Sequence, residues 1–98
     1  MSIKVAINGF GRMGRLFMRA AWDRPEFEIV QINELHGDAK TAAHLLEFDS
    51  VHGRWDRGIT SSENSITIEG KEIAVSHASN PESFPLRSDI DIVVECTG

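Results

Sequence analysis

The chain has 98 residues and a formal net charge of −5, and 41% of its residues are hydrophobic and 26% charged. That length allows one domain with a modest core, and the composition is typical of a folded, water-soluble protein. The negative charge disfavours partners bound through many phosphate groups, so we expect neither nucleic acid nor membrane among them. With a single cysteine, Cys96, and no leader-like segment, the expected location is the cytoplasm.

The first elements in chain order predict a βαβ unit. Ile3 to Asn8 reads as a buried strand. A helix follows Gly11, and its expected apolar face consists of Met13, Leu16, Phe17, Ala20 and Ala21. The segment Asp23-Arg24-Pro25 ends this helix, and Phe27 to Ile32 is a second, β-branched strand. Strand, helix and strand within about thirty residues indicate two parallel strands joined by a right-handed crossover.

The rest of the chain predicts further strands and a second helix. Asp38 suits the N-cap of a helix from residue 39 to about residue 48, with Ala42, Leu45 and Leu46 facing the sheet. Beyond Trp55, polar and apolar residues alternate around turns near 62–64 and 69–71, which predicts an antiparallel meander inserted between parallel strands. Residues 80–82 resemble the start of a short helix, and residues 90–96 a third core strand parallel to the first. The expected class is therefore α/β.

A glycine-rich motif lies between the first strand and the first helix. Gly9, Gly11 and Gly14 have the spacing G-x-G-x-x-G, and an acidic residue, Glu34, follows about 20 positions later. Gly9 permits a tight turn, and Gly11 lets the backbone approach a pyrophosphate. Gly14 allows the helix to pack closely on the strand. Such a strand-loop-helix context predicts a partial Rossmann fold, a doubly wound and mostly parallel sheet, with the meander as an insertion.

Residues beside the motif indicate which cofactor binds. The N–H groups of Arg12 and Met13 begin the helix and would face the phosphates of a dinucleotide. Glu34 would accept hydrogen bonds from ribose hydroxyls and would repel a 2′-phosphate by roughly 1 to 4 kcal/mol at about 4 Å. The pattern therefore predicts NAD rather than NADP. One alternative stays open for the motif: the glycines form only a tight turn and Glu34 is a solvated loop carboxylate. For Arg12 and Arg15, side chains that face solvent stay open beside contact with a phosphate or with a neighbouring domain.

Four motifs in order make the chain resemble the amino-terminal part of glyceraldehyde-3-phosphate dehydrogenase: GFGRMGR, INE, DSVHGRW and ECTG. INE combined with AAHLLEFDSVHGRW is similar to the branch associated with arsenate resistance, and less so to erythrose-4-phosphate dehydrogenase. The resemblance implies NAD-dependent oxidation of a phosphorylated aldehyde through a cysteine thioester, with phosphate or arsenate as acceptor, in a tetrameric enzyme. It also implies that the NAD site includes Gly9, Phe10, Gly11, Arg12, Met13, Gly14, Asn33, Glu34, Thr97 and Gly98.

The sequence departs from the pattern of that family at several points. Glu34 reaches one methylene further than the usual Asp, and Ser79 stands where the family has an adenine-side Arg. The family's S-C-T-T-N-C motif and histidine base do not occur in these residues, so we expect 1–98 to be an incomplete NAD-binding domain that is inactive alone. Cys96 ends a strand and is not expected to be the nucleophile. The four histidines lack metal-ligand spacing, so no metal site is expected.

The remaining aromatic and histidine residues have structural interpretations. Trp22 and Trp55 are expected to pack on the core or on a partner, and His52 to make structural hydrogen bonds. Two other functions stay open beside that of an enzyme part. The chain could act as a free-standing NAD-responsive binding module, or through protein contacts without chemistry.

Overall fold

The computed structural model describes residues 2–49, 53–77 and 88–96. The elements in chain order are β1 (Ile3–Asn8), α1 (Arg12–Trp22), β2 (Phe27–Asn33), α2 (Ala39–Glu47), β3 (Phe48–Asp49), β4 (Gly53–Arg54), β5 (Ile59–Ser62), β6 (Ser65–Ile68), β7 (Lys71–Ser76) and β8 (Ile92–Glu95). The predicted helical start at 80–82 lies outside the described residues, as do His52, Ser79, Thr97 and Gly98.

Six of the strands form one mixed sheet in the order β5-β6-β7-β2-β1-β8. β1 pairs in parallel with β2 and with β8, and β2 pairs in parallel with β7. β5, β6 and β7 are antiparallel neighbours, so the predicted meander is confirmed. Its last strand is itself a member of the parallel part of the sheet. The β6–β7 turn places Glu69 (φ 52°) and Gly70 (φ 81°) in the left-handed region, as a tight type I′ hairpin requires.

The helix α1 has the predicted bounds but a different buried face. Its buried residues are Gly14, Met18 and Ala21. Met13 is 67% exposed and Ala20 is also exposed, so their assignment to the apolar face was wrong. The first turn of α1 approaches the end of β1 through Gly14, and this approach turns Met18 toward the sheet and Met13 away from it.

The helix α2 begins at the predicted N-cap. The Oδ1 atom of Asp38 accepts a hydrogen bond from the Thr41 N–H at 2.8 Å. The buried residues of α2 are Ala39, Ala42, Ala43 and Leu46. Leu45 is 40% exposed, so the prediction that it faces the sheet was wrong. A helix turns about 100° per residue, which places Leu45 beside this stripe and not within it.

One apolar core lies between the two helices and one face of the sheet. α1 contacts β2 and α2, and α2 contacts β5 and β6. The largest fully buried side chains are Ile7, Met18, Ile29, Ile32, Leu46, Ile66, Ile68, Ile73 and Val5. Because side chains alternate along a strand, Ala6 and Asn8 of β1 point to the opposite face.

The strand β8 is parallel to β1, as predicted, but it is not a core strand. Within the described residues it forms the edge of the sheet. Ile92 is 43% exposed and Val93 is 38% exposed, whereas Val94 packs against the core. An apolar run alone therefore predicted the strand correctly and its burial wrongly.

The segment after α2 connects the two parts of the chain. β3 and β4 form a small antiparallel ribbon, which the sequence had not predicted. The Trp55 N–H donates to the Glu47 carbonyl oxygen at 2.7 Å.

The rings of Trp22 and Trp55 meet edge to face with centroids 6.3 Å apart, and both pack against the core, as expected. Arg57 lies over Trp55 and binds both carboxylate oxygens of Asp23, each at 2.6 Å.

Candidate functional site

The glycine motif forms the turn that joins β1 to α1. Gly9 has a φ of 95°, in the left-handed region that favours glycine. Its N–H donates to the Asn33 carbonyl oxygen at 2.8 Å, which ties the turn to the end of β2. A Cβ atom added to Gly14 would overlap the carbonyl oxygen of Gly9. The turn and packing roles predicted for Gly9 and Gly14 are thus confirmed.

Gly11 leaves open space at the start of α1. It is the N-cap residue, with an ordinary φ of −75°, and a Cβ added there would meet no atom within 4 Å beyond its chain neighbours. In the described part of the chain no side chain caps this helix, and its first turn has no acidic residue. α2, in contrast, is capped by Asp38. The first-turn N–H groups of α1 are therefore available to an external acceptor such as a phosphate oxygen.

The side chains around this loop lie in different surroundings. Phe10 is 3% exposed and belongs to the apolar core, so it faces the loop only through its backbone. Arg12 and Met13 are exposed at the start of α1. Arg15 is half-buried, and its Nη1 atom donates to the Phe10 carbonyl oxygen at 3.2 Å. Arg15 thus holds the loop, and the alternative that it only faces solvent was wrong.

Glu34 follows β2 and reaches back to the glycine loop. Its Oε1 atom accepts the Phe10 N–H at 2.6 Å, and its Oε2 atom accepts the His36 N–H at 3.0 Å. The Nδ1 atom of His77 lies 2.8 Å from the Glu34 carbonyl oxygen. An ionised carboxylate offers about four acceptor positions, so Glu34 keeps capacity for ribose hydroxyls. The structure thereby holds a negative charge beside the loop, where a 2′-phosphate would be repelled.

Four polar side chains form a row across the ends of four parallel strands. The last residues of β7, β2, β1 and β8 are Ser76, Asn33, Asn8 and Glu95, and they are register partners. Ser76 Oγ donates to Asn33 Oδ1 at 2.8 Å, and Asn33 Nδ2 donates to Asn8 Oδ1 at 2.9 Å. Asn8 Nδ2 donates to the two Glu95 carboxylate oxygens at 3.0 and 3.1 Å.

Sequence reasoning had singled out only Asn33 from this row. Asn33 is 4% exposed and its carboxamide bonds within the row, so its side chain serves the sheet. The signal that could have revealed Asn8, Ser76 and Glu95 was their shared position. Each is a polar residue that ends an otherwise apolar or alternating strand.

The remaining features are the Cys96 thiol, the possible metal ligands and the lengths of the helices. Burial, and then the charge of Glu95, raise the pKa of the Cys96 thiol. A raised pKa favours the protonated thiol, which is the less nucleophilic form. Across the described ranges no three His, Cys, Asp or Glu side chains lie together as a metal site would require. The helices described here are all too short or too polar to cross a membrane.

Comparisons with known proteins agree with the loop geometry. Residues 3–98 match the family described as "Glyceraldehyde 3-phosphate dehydrogenase, NAD binding domain". The chain is 50% identical over 99 residues to glyceraldehyde-3-phosphate dehydrogenase 3 of Nostoc sp. and 48% identical over 99 residues to the Geobacillus stearothermophilus enzyme. It is 46% identical over 98 residues to the Thermotoga maritima enzyme.

These alignments take in nearly the whole of this chain but a minor part of each relative. They cover 100%, 100% and 97% of the chain, respectively, and 29% of each relative. The matched family is defined by NAD binding, so NAD is the cofactor, as the glycine motif and Glu34 had predicted. The resemblance read from the four sequence motifs is also confirmed. The chain belongs to the family of NAD-binding domains of glyceraldehyde-3-phosphate dehydrogenases.

Proposed function

We propose that this chain is part of an NAD-dependent enzyme that oxidises a phosphorylated aldehyde, and that its own contribution is to bind NAD. The observation that carries this proposal is the open space over Gly11 at the uncapped start of α1, with the Glu34 carboxylate fixed beside it. When bound, NAD supplies the hydride acceptor. In this proposal, residues 1–98 form an incomplete NAD-binding domain, and the catalytic residues lie outside them.

In this proposal different residues bind different parts of NAD. The N–H groups of Arg12 and Met13 bind the pyrophosphate, and the missing side chain of Gly11 lets it approach. Glu34 binds the ribose hydroxyls. Gly9 and Gly14 shape the loop. Phe10 contributes through its backbone, because its side chain is buried. Asn33, also buried, contributes through the hydrogen-bonded row of strand-end side chains.

Some assignments rest on the family resemblance alone. Contacts from Thr97 and Gly98 to NAD are proposed on their place in the ECTG motif. The aldehyde substrate, a phosphate or arsenate acceptor and the tetramer belong to the same proposal. The cytoplasmic location is proposed on the single cysteine. The names of the relatives, which are glyceraldehyde-3-phosphate dehydrogenases, support the substrate class.

The test is a calorimetric titration of the folded chain with NAD and with NADP. We expect NAD to bind more tightly. Glu34→Ala should weaken NAD binding by about tenfold, the cost of removing one hydrogen bond to a charged group, and should reduce the preference over NADP. The matched control is Glu63→Ala, which removes the same charge from the exposed β5–β6 turn.

Two results would contradict the proposal in different ways. No heat from the folded chain at millimolar NAD would refute NAD binding by these residues. An unchanged ratio of NAD to NADP affinity in Glu34→Ala would refute the ribose role of Glu34 and leave NAD binding standing.

A further inference from the structure

We propose that the row of Ser76, Asn33, Asn8 and Glu95 positions the cofactor site, with Glu95 as the acceptor that orients the whole row. The inference rests on the proposed NAD-binding function and extends it to side chains that hold the strand ends in place rather than contact the cofactor. Its action is to hold the carboxyl ends of four parallel strands in one fixed arrangement.

The first support is where the row lies in the chain. Every member directly precedes a segment of the candidate site. Asn8 precedes the glycine turn, Asn33 precedes Glu34, and Ser76 precedes His77, whose ring contacts the Glu34 backbone. Glu95 leads into the end of the ECTG motif. A shift in any one strand end would therefore move a different part of the site.

The second support comes from main-chain hydrogen bonds one residue beyond the row. The Gly9 N–H donates to the Asn33 carbonyl oxygen at 2.8 Å, and the Glu34 N–H donates to that of Ser76 at 2.8 Å. The Cys96 N–H donates to the Asn8 carbonyl oxygen at 2.7 Å. Three of the four segments that leave the row are thus bound through a main-chain N–H to the row member of the neighbouring strand.

The third support is the direction of the side-chain hydrogen bonds. The Ser76 hydroxyl donates into the row, each Asn both accepts and donates, and the Glu95 carboxylate only accepts. Bonds to an ionised acceptor are stronger than neutral ones, and bonds in a chain polarise one another. Asn8 and Asn33 are 7% and 4% exposed. Removal of the Glu95 carboxylate therefore takes away the acceptor of the nearly buried Asn8 amide, which costs free energy.

A role in sheet stability alone does not account for this arrangement. Apolar side chains could join the same strand ends without the cost of burying amide groups. The row lies at the carboxyl ends of the parallel strands, where ligands bind in open α/β sheets. Hydrogen bonds between polar side chains fix the orientation of the strand ends as well as their positions, and a binding loop needs both.

The experiment is a charge swap within the row of the 98-residue chain. Asn8→Asp places two carboxylates against each other and should weaken NAD binding by tenfold or more. Adding Glu95→Gln to Asn8→Asp leaves a single carboxylate, at position 8. That carboxylate can accept hydrogen bonds from the amides at positions 33 and 95, so NAD affinity should recover at least threefold. Glu95→Ala is the milder variant if Asn8→Asp does not fold, since Glu95 is exposed. Glu72→Gln is the control, because Glu72 accepts a serine hydroxyl within the meander, at 3.1 Å.

A second readout needs no cofactor. Amide hydrogen exchange of Gly9, Glu34 and Cys96 should become several-fold faster in Glu95→Ala, while the Val75 amide, bonded to Asn64 in the meander, stays unchanged. Unchanged exchange at Gly9 and Glu34, or a double variant that binds NAD no better than Asn8→Asp, would overturn the positioning role. If the wild-type chain binds no NAD but the exchange pattern appears, the proposed function fails and the positioning of the loop stands.

Discussion

At the scale of single residues, Gly11 and Gly14 show that two glycines of one motif serve different physical ends. Gly14 has a neighbour so close that a methyl group would overlap the Gly9 carbonyl oxygen. Gly11 has an ordinary backbone conformation and empty space around it. The fold requires Gly14 to be small, whereas the proposed approach of a ligand to the backbone gives a reason for glycine at position 11.

These two positions form a matched pair of variants. Gly14→Ala should lower the free energy of unfolding by about 1–3 kcal/mol, because the helix must move away from the turn. Gly11→Ala should stay within about 1 kcal/mol of the wild type, the usual cost of alanine at an N-cap, and should weaken NAD binding. Urea unfolding and calorimetry measure the two effects. Equal losses of stability would contradict the difference in packing.

At the scale of elements, the two helices begin in opposite ways. α2 is closed by its own Asp38, whose carboxylate accepts the Thr41 N–H. α1 begins at Gly11 without a side-chain cap, within the described residues. An uncapped start costs stability unless an acceptor binds there. The contrast supports the proposal that a ligand binds at the N-terminus of α1, whereas the N-terminus of α2 is closed by its own side chain.

The cap of α2 predicts a dependence of stability on pH. The hydrogen bond from the Thr41 backbone lowers the pKa of Asp38 below its ordinary value of 3.8. A lowered pKa in the folded state gives stability that is present above 3.8 and is lost as the pH falls through the folded value. Asp38→Ala should therefore lower the melting temperature at pH 7, and the difference from wild type should shrink below about pH 4.

The control for the cap is Asp38→Asn, which keeps a capping oxygen without a charge. Its melting temperature should stay near that of the wild type at neutral pH and should exceed that of Asp38→Ala. Thermal unfolding followed by circular dichroism at several pH values measures both. A constant difference between wild type and Asp38→Ala at every pH would contradict the role of the ionised cap.

At the scale of the whole molecule, an aromatic and charged cluster joins the first βαβ unit to the meander. Trp22 ends α1, and its Nε1 atom donates to Glu69 in the β6–β7 turn at 2.6 Å. Trp55 packs edge to face on Trp22 and lies under the guanidinium groups of Arg19 and Arg57. The cluster lies at the carboxyl-terminal end of α1, whereas the glycine loop lies at the amino-terminal end of that helix. Its contacts run from α1 to the β6–β7 turn, so its role is to join the two parts.

We expect a substitution in this cluster to lower the stability of the fold and to leave the preference for NAD over NADP unchanged. Trp55→Leu should lower the free energy of unfolding by about 1–3 kcal/mol, through lost burial and lost ring contacts, and leave the NAD to NADP preference unchanged. Phe48→Leu is the control, because Phe48 is 46% exposed, and its cost should be smaller. Urea unfolding monitored by tryptophan fluorescence compares the two, with Trp22 supplying the signal in Trp55→Leu. A larger loss in Phe48→Leu would contradict the cluster's role.

Prediction from sequence succeeded where local geometry decides the outcome. The bounds of β1 and α1, the Asp38 cap and the meander all followed from periodicity and from residues with special backbone preferences. It failed at Met13, Leu45 and β8, where burial depends on which neighbour each side chain meets. The place of Arg15 against the Phe10 carbonyl oxygen is a further case, since two helix-start arginines look alike in sequence.

The sequence by itself determined the glycine turn, the acidic residue beside it and the family, because these depend on residue types at short spacings along the chain. Only the tertiary structure decided that Glu34 binds the loop backbone and that the ends of four strands share one hydrogen-bonded row. Asn8 and Glu95 are 87 positions apart, and no local pattern relates them. Their contact exists because parallel strands bring their carboxyl ends to one edge of the sheet, where the proposed cofactor site also lies.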